Sequence, residues 1–271
     1  MKERISLTID NSVLKNVDSL IDNINIRSRS QAIEILLSDS LNREKSVVIL
    51  CGGKDFVLKG TEVLRPLSKI KEKTIIERII SRCKKHGFNK FYILGPKKHL
   101  DEIYKVAHNI DNVELRYIEE TGAGSAKALL SLRREIHSTF LVIPGDIIFD
   151  FDLTDMFTFH KSGSKCVTLA IDILKRPKRA HYKLGKVTMK GNSIINYVDE
   201  SKDDEVQVIS TFIFFAEPSL FDVIGRKVIS LQKDLFPILA EKNLLRGYPF
   251  SGYWFNIHSK EDISDAERVS L

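Results

Sequence analysis

The feature that most constrains the fold of this chain is a set of glycine-containing turns, each of which follows a short apolar run. The turns contain Gly52, Gly124 and Gly145. A buried parallel strand that leads into a glycine turn is the structure that this pattern predicts. Ligands bind at the carboxyl ends of such strands, so the three turns are expected to surround one site.

Helical stretches separate the apolar runs. This alternation predicts a three-layer α/β/α domain over residues 46–271, with a mainly parallel mixed sheet. The strands are predicted at residues 46–50, 90–94, 113–118 and 139–143. The helices between them are predicted at residues 75–80, 100–107 and 125–136.

Composition excludes several kinds of protein. No apolar run reaches the roughly 18 residues that a membrane span needs, so no membrane partner is expected. The three cysteines are far apart, which excludes a disulfide framework and a zinc site and fits the reducing cytoplasm. The net charge of +6 and the pI of about 9.0 permit an anionic partner.

The first 42 residues have a different pattern, which predicts one strand and two short helices. Residues 4–9 alternate polar and apolar side chains, as a half-buried strand does. Apolar residues then recur at helical spacing, first between residues 13 and 21 and again between residues 33 and 41. Residues 42–45 are polar and are expected to link this module to the larger domain.

A module of about 41 residues buries too little apolar surface to fold alone, and a single strand leaves both of its edges unpaired. Two chains solve both problems if they pair their strands and interlock their helices. Residues 2–41 resemble the ribbon-helix-helix family of DNA-binding proteins, whose paired strands lie in the major groove. The resemblance implies a homodimer that binds double-stranded DNA, and it is compatible with higher oligomers. The implied DNA contacts are Arg4, Ser6 and Thr8 on the strand and Ser28, Arg29 and Ser30 at the second helix.

A simpler interpretation is that the ribbon only joins two chains and that its polar face is ordinary surface. Seven basic and seven acidic residues balance one another in residues 1–45, so bulk charge does not favour DNA there. The lack of an acidic residue between Arg4 and Thr8 does favour a polyanion on that face.

Residues 46–267 resemble the sugar-nucleotidyltransferase family, whose Rossmann-like domain joins a nucleoside triphosphate to a sugar 1-phosphate. The family's landmarks occur in order at Gly52-Gly53, Arg65-Pro66-Leu67, Gly124-Ser125-Ala126, Gly145-Asp146 and Tyr253-Trp254-Phe255-Asn256. The resemblance implies that a nucleotide or NDP-sugar is bound by Gly52, Gly53, Lys54, Arg65, Gly124, Ser125 and Asp146. It also implies magnesium at Asp146 and Asn256, and catalysis by Arg65, Lys59 and Asp146 if transfer occurs.

Four parts of this sequence depart from the family's pattern. The loop over residues 52–60 lacks the Thr-Arg pair that clamps the triphosphate and contains apolar residues instead. Asn256 replaces an aspartate that binds the metal, and an amide is a weaker ligand for a hard cation. The lysine that meets the sugar phosphate is shifted to Lys202, and Phe212 replaces a glycine of the sugar pocket.

These departures indicate a domain that binds a nucleotide or NDP-sugar but has lost transfer. The predicted function is a cytoplasmic transcription regulator, in which the ligand alters how the ribbon is presented to DNA. The alternative is an active sugar-1-phosphate nucleotidyltransferase with a DNA-binding or dimerising arm. A third interpretation is a pyrophosphate- or RNA-binding scaffold that uses the basic residues 175–179.

Overall fold

The computed structural model describes residues 5–22, 26–43, 45–53, 56–120, 124–174, 185–198 and 207–269. The chain divides into two compact units, Met1–Glu44 and Lys45–Leu271. Arg4, Lys54, the basic residues 175–179 and Lys202 lie outside the described residues. Among the residues that are described, no helix has the length and apolar character needed to cross a bilayer.

The smaller unit contains two helices, α1 (Asn11–Asp18) and α2 (Arg29–Arg43). Asp10 caps α1 by accepting a hydrogen bond from the Ser12 N–H. Ser28 Oγ accepts a hydrogen bond from the Gln31 N–H at 3.2 Å, at the start of α2. Among the side chains described in this unit, only Val17 and Ala32 are buried, so a single copy has a very small core.

The strand predicted over residues 4–9 is not found in the described part of this segment. Residues 5–10 form neither a helix nor a strand. A strand needs a hydrogen-bonding neighbour, and the described residues of one chain offer none to this segment. Ile5 and Leu7 are left 68% and 54% exposed. A single chain therefore does not show the ribbon-helix-helix arrangement.

The larger unit contains a main sheet, two small two-stranded sheets and helices on both faces. Its strands are β1 (Ser46–Leu50), β2 (Lys69–Ile70), β3 (Lys73–Thr74), β4 (Lys90–Gly95), β5 (Glu114–Glu119), β6 (Phe140–Pro144), β7 (Ile147–Phe149), β8 (Val167–Leu174), β9 (Lys186–Lys190), β10 (Ser193–Val198), β11 (Gln207–Ala216), β12 (Leu245–Pro249) and β13 (Trp254–Asn256). Its helices are α3 (Ile75–Lys85), α4 (Lys97–Ala107), α5 (Ser125–Leu130), α6 (Leu153–Lys161), α7 (Leu220–Val223), α8 (Phe236–Glu241) and α9 (Lys260–Val269).

The strand order of the main sheet is β5-β4-β1-β6-β11-β8-β12-β10-β9 in the described residues. β5, β4, β1 and β6 are parallel, as predicted. β11 is antiparallel to β6 and β8, and β10 is antiparallel to β9 and β12, whereas β8 and β12 are parallel. The sheet is therefore mixed, as predicted, but its second half is mostly antiparallel. A parallel pair needs a crossover helix, whereas β9 and β10 are joined by a tight turn at Gly191.

Alternate residues of β1 pack into two separate cores. Val48 lies in one core together with Leu129 of α5. Val47 and Ile49 lie in the other core, which also contains Ile76 of α3. A sheet that is apolar on both faces must be covered on both faces, and the larger unit therefore has the three predicted layers.

Candidate functional site

The carboxyl ends of β1, β5 and β6 open into one cavity of about 1080 Å³. Gly52 follows β1, Glu120 follows β5 and Asp146 follows β6, and all three line the cavity. This position is the one at which open α/β sheets bind ligands, and the volume suffices for a nucleotide with a second small molecule.

A buried ion pair lies at the end of β6. Arg65 Nη1 donates a hydrogen bond to Asp146 Oδ2 at 3.1 Å, and the two side chains are only 16% and 8% exposed. Burial raises the pKa of Asp146 above its ordinary value, and the positive charge of Arg65 opposes that rise. A cation and a carboxylate are thus held together where water has little access.

Close backbone contacts fix the position of Asp146. The Gly145 N–H donates to the Leu50 carbonyl at 2.8 Å, which ties the turn after β6 to the end of β1. A Cβ at position 145 would lie 2.6 Å from Cys51 Sγ, so only glycine fits this approach. The Ile257 N–H donates to the Asp146 carbonyl at 2.9 Å from the other side.

Arg65 is presented by a tight loop that follows the Gly52-Gly53 turn. Its backbone N–H and its Nε each donate to the loop, to the Phe56 and Val57 carbonyls respectively, both at 3.1 Å. Its guanidinium lies over the Phe56 ring, 5.7 Å from the centroid. The apolar residues of this loop therefore help to hold the Arg65 side chain in the cavity wall.

Asn256 lies beside Asp146 because β13 pairs with β7 and places Asn256 opposite Ile147. Its Oδ1 is buried and has no hydrogen-bond partner among the described residues. The described residues contain no cluster of three or more His, Cys, Asp or Glu side chains that could hold a metal. Magnesium usually takes only one or two protein oxygens and completes its shell with phosphate and water, so this pair of oxygens fits magnesium.

His258 occupies the cavity wall next to this pair. Burial lowers the pKa of His258 to about 4, and the charge of Arg65 acts in the same direction. The imidazole is therefore neutral at pH 7, and Arg65 supplies the positive charge of this wall. The His258 carbonyl accepts a hydrogen bond from the Lys59 N–H at 2.9 Å, which ties the Arg65 loop to the segment after β13.

The Gly124-Ser125 turn forms another wall of the cavity. Gly124 has φ of 103°, a conformation that side chains rarely adopt. The Ala126 N–H donates to the Ile229 carbonyl at 2.9 Å, and Ser125 Oγ accepts from the Leu231 N–H at 3.0 Å. The segment over residues 229–231 thereby holds the turn in place.

Most of the residues predicted for nucleotide and metal binding come together in this cavity. Its lining includes Gly52, Gly53, Arg65, Gly124, Ser125, Asp146 and Asn256. Lys59 does not belong to the lining, and its side chain is exposed, so its geometry gives no support to a catalytic role. Phe212 lies in the wall with φ of 62°, the left-handed conformation that favours glycine.

Sequence reasoning missed several residues of the cavity. Glu120 follows β5 directly, and its position at a strand end is the one sequence signal that points to it. Gln232 and Lys233 lie in a π-helical turn (Leu231–Leu235), far along the chain from the glycine turns, and no local pattern indicates them. Both belong to the cavity lining.

The residues predicted for DNA contact lie in the smaller unit, where Ser6, Thr8, Ser28, Arg29 and Ser30 are all exposed. Arg29 is engaged by Asp18, to which its Nε and Nη2 donate at 2.7 and 2.8 Å. Its charge is therefore balanced within its own unit, and the predicted phosphate contact through the backbone N–H groups of Ser28, Arg29 and Ser30 stays a prediction.

The sequence has recognisable relatives. The family model described as Nucleotidyl transferase matches residues 46–270. The bifunctional protein GlmU of Methanococcus aeolicus is 30% identical over 229 residues, which cover 81% of this chain and 53% of that protein. The mannose-1-phosphate guanylyltransferase catalytic subunit beta of Drosophila pseudoobscura pseudoobscura is 26% identical over 170 residues, which cover 61% of this chain and 45% of that protein. The chain thus spans about half the length of these relatives.

Solved structures share the fold at low sequence identity. HddC from Yersinia pseudotuberculosis, in a complex with GMP-PN, superposes with a TM-score of 0.69 at 18% identity, covering 83% of this chain and 98% of that one. The inositol-1-phosphate CTP transferase from T. maritima superposes with a TM-score of 0.67 at 16% identity, covering 81% and 91%. From the match over residues 46–270, the chain belongs to the nucleotidyl transferase family.

Proposed function

We propose that the larger unit is an active sugar nucleotidyltransferase, which joins a nucleoside triphosphate to a sugar 1-phosphate and releases pyrophosphate. The observation that carries this proposal is the buried Arg65–Asp146 pair beside Asn256 in a cavity of about 1080 Å³. The relatives named for GlmU and for mannose-1-phosphate guanylyl transfer favour this function over the ligand-sensing regulator.

The chemistry requires two anions to approach one another. An oxygen of the sugar phosphate attacks the α-phosphorus, the new P–O bond forms, and the bond from the α-phosphorus to the β-bridging oxygen breaks. Catalysis of such a step consists mainly of positioning and of balancing negative charge. Arg65 supplies a fixed positive charge at the end of β6, and burial strengthens its effect.

Asp146 and Asn256 are the residues that would hold magnesium in this function. Magnesium would supply charge neutralisation for the phosphate oxygens. Asp146 contributes a carboxylate oxygen, and Asn256 contributes a buried amide oxygen that lacks another partner among the described residues. The amide lowers the negative charge of the site by one relative to a second aspartate, so we expect weaker metal binding and not the loss of the site.

The direct test is to incubate the protein with magnesium, each common NTP and a panel of sugar 1-phosphates, and to measure pyrophosphate release. We expect release with one preferred pair of substrates and none without the sugar phosphate. A nucleotide that binds without pyrophosphate release in every combination would contradict transfer and would favour a ligand sensor.

We further propose that the smaller unit pairs with the same unit of a second copy and that the pair binds duplex DNA. The observation that favours this is an apolar surface that one copy leaves in water, with Ile5, Leu7 and Val13 at 68%, 54% and 51% exposure. Ser6 and Thr8 alternate with these apolar residues, so pairing of this segment would place the two hydroxyls together on the opposite face.

Replacing Leu7 with aspartate is expected to convert a dimer into monomers, because pairing would bury a charge without a partner. Light scattering after gel filtration measures the mass, and salt-dependent binding to duplex DNA should be lost together with the dimer. Asn16→Asp is the matched control, since it adds the same charge at another exposed position of this unit. A monomeric wild-type protein would contradict the proposed pairing. A wild-type dimer that does not bind duplex DNA would contradict the proposed DNA binding.

A further inference from the structure

Lys233 is a charged residue of the cavity lining, and the transfer chemistry described above does not use it. It lies on the π-helical turn over Leu231–Leu235, a rare conformation that is frequent at functional sites. Its side chain is exposed and forms no salt bridge within the described part of the chain. Lys233 therefore brings the cavity a positive charge that is not engaged in an ion pair.

Hydrogen bonds on both sides hold this turn in place. The Lys233 N–H donates to Ser230 Oγ at 3.1 Å, and the Ser230 N–H donates to Asp234 Oδ2 at 2.8 Å. The Leu231 N–H donates to Ser125 Oγ at 3.0 Å, which ties the turn to another wall of the cavity. The backbone of Lys233 is thus fixed, whereas its four-carbon stem lets the ammonium group adapt to a ligand.

The turn and the Arg65 loop face one another because they pack on opposite faces of the main sheet. Leu231 belongs to the core that contains Val48. Phe56, which lies against Arg65, packs on the other core. Because the cavity lies between these two layers at the carboxyl ends of the strands, Lys233 and Arg65 line opposite walls.

The formal charges of the described cavity lining add up to zero. Arg65 and Lys233 are positive, Glu120 and Asp146 are negative, and burial keeps His258 neutral at pH 7. The charge of Arg65 is already opposed by its partner Asp146 before any substrate binds. A triphosphate and a sugar phosphate bring several negative charges that repel one another, so a second cation is needed where the second anion enters.

We propose that Lys233 binds the phosphate group of the sugar 1-phosphate and holds it for attack on the nucleotide. Arg65 attracts the phosphates of the nucleotide to one wall, and Lys233 holds the acceptor at the other. Phe212, Leu231 and Phe236 belong to the same core layer as the turn and make much of this wall apolar. An ammonium group offers three donors and forms charge-assisted hydrogen bonds to phosphate oxygens. This inference rests on the proposed function and assigns a residue to its acceptor substrate.

The test measures initial rates of pyrophosphate release by the full chain with its preferred NTP and sugar 1-phosphate. Lys233→Met removes the charge and is expected to raise the KM for the sugar 1-phosphate about 10- to 100-fold, as the loss of a charged hydrogen bond does. The KM for the NTP should not change. Lys233→Arg keeps the charge and should retain most of the affinity. Lys227→Met is the matched control, because Lys227 is an exposed lysine of the preceding segment outside the cavity lining.

Calorimetric titration with glucose, mannose and N-acetylglucosamine 1-phosphates, in the presence of magnesium, gives a measurement that needs no turnover. The wild-type protein is expected to bind at least one of them, and Lys233→Met is expected to weaken that binding. Unchanged sugar phosphate affinity in Lys233→Met, or a loss confined to the NTP, would overturn the assignment, as would a wild-type protein that binds none of the three.

These outcomes are separable from the proposed function. Sugar phosphate binding that depends on Lys233, without pyrophosphate release, contradicts only transfer. Transfer that Lys233→Met leaves unchanged contradicts only the role of Lys233.

Discussion

Replacing Asp146 with asparagine is expected to lower kcat for pyrophosphate release by about 10²- to 10³-fold, the usual cost of losing one preorganised electrostatic group. The carboxylate is almost buried and directly bonded to Arg65, so its charge sets the potential at the end of β6. The substitution keeps the shape of the side chain but removes the charge that would hold magnesium beside Asn256 in the proposed function. We expect the magnesium concentration for half-maximal activity to rise as well.

Asp155→Asn is the control for this prediction, because Asp155 is an exposed aspartate on α6 outside the cavity lining. Chemical denaturation of both variants checks that the fold is retained. An Asp146→Asn protein with unchanged kcat and unchanged magnesium dependence would show that the transfer site lies elsewhere.

Replacing Gly124 with alanine is expected to cost about 1–3 kcal/mol of the free energy of unfolding through backbone strain alone. Gly124 has φ of 103°, and a Cβ there would lie 2.6 Å from the Ile229 carbonyl oxygen, which is backbone and moves little. The contact would also push residues 229–231 away from Ser125, so nucleotide affinity should fall together with stability. Denaturant titration and calorimetry measure the two effects.

Gly225→Ala is the matched control. Gly225 lies in the segment that leads to Ile229, has no positive φ, and has open space where a Cβ would be placed. We expect this variant to bind nucleotide normally and to unfold at nearly the wild-type denaturant concentration. If Gly124→Ala behaved in the same way, the turn would be adaptable and its contact with Ile229 would not shape the site.

The parallel half of the sheet was predictable because its signals are local. The apolar runs of this half, such as residues 46–50, alternate with helical stretches along the chain, and strands joined by a crossover helix usually pair in parallel. The antiparallel pairs of the second half join distant segments, such as β11 with both β6 and β8. The predicted strand near Ile5 failed for a related reason, because strand structure depends on a neighbour that one chain does not provide.

The site was predictable where a residue type is required by the backbone or by the reaction. Gly145 is required by its contact with Cys51, and Asp146 follows it in a recognisable motif. The sequence predicted Arg65 as a site residue but did not predict its contact with the Phe56 ring. Apolar residues in this loop were interpreted as the loss of a phosphate-binding motif. Glu120 was missed because an acidic residue after an outer strand resembles ordinary surface.

The tie between the Arg65 loop and the segment after β13 has a consequence for biosynthesis. The Lys59 N–H finds its acceptor at His258, and the Asp146 carbonyl finds its donor at Ile257. A nascent chain still being translated through β12 would have the glycine turns but not these anchors. The order of translation therefore leaves the Arg65 loop and the Asp146 turn without these two hydrogen bonds until residues 257 and 258 have left the ribosome.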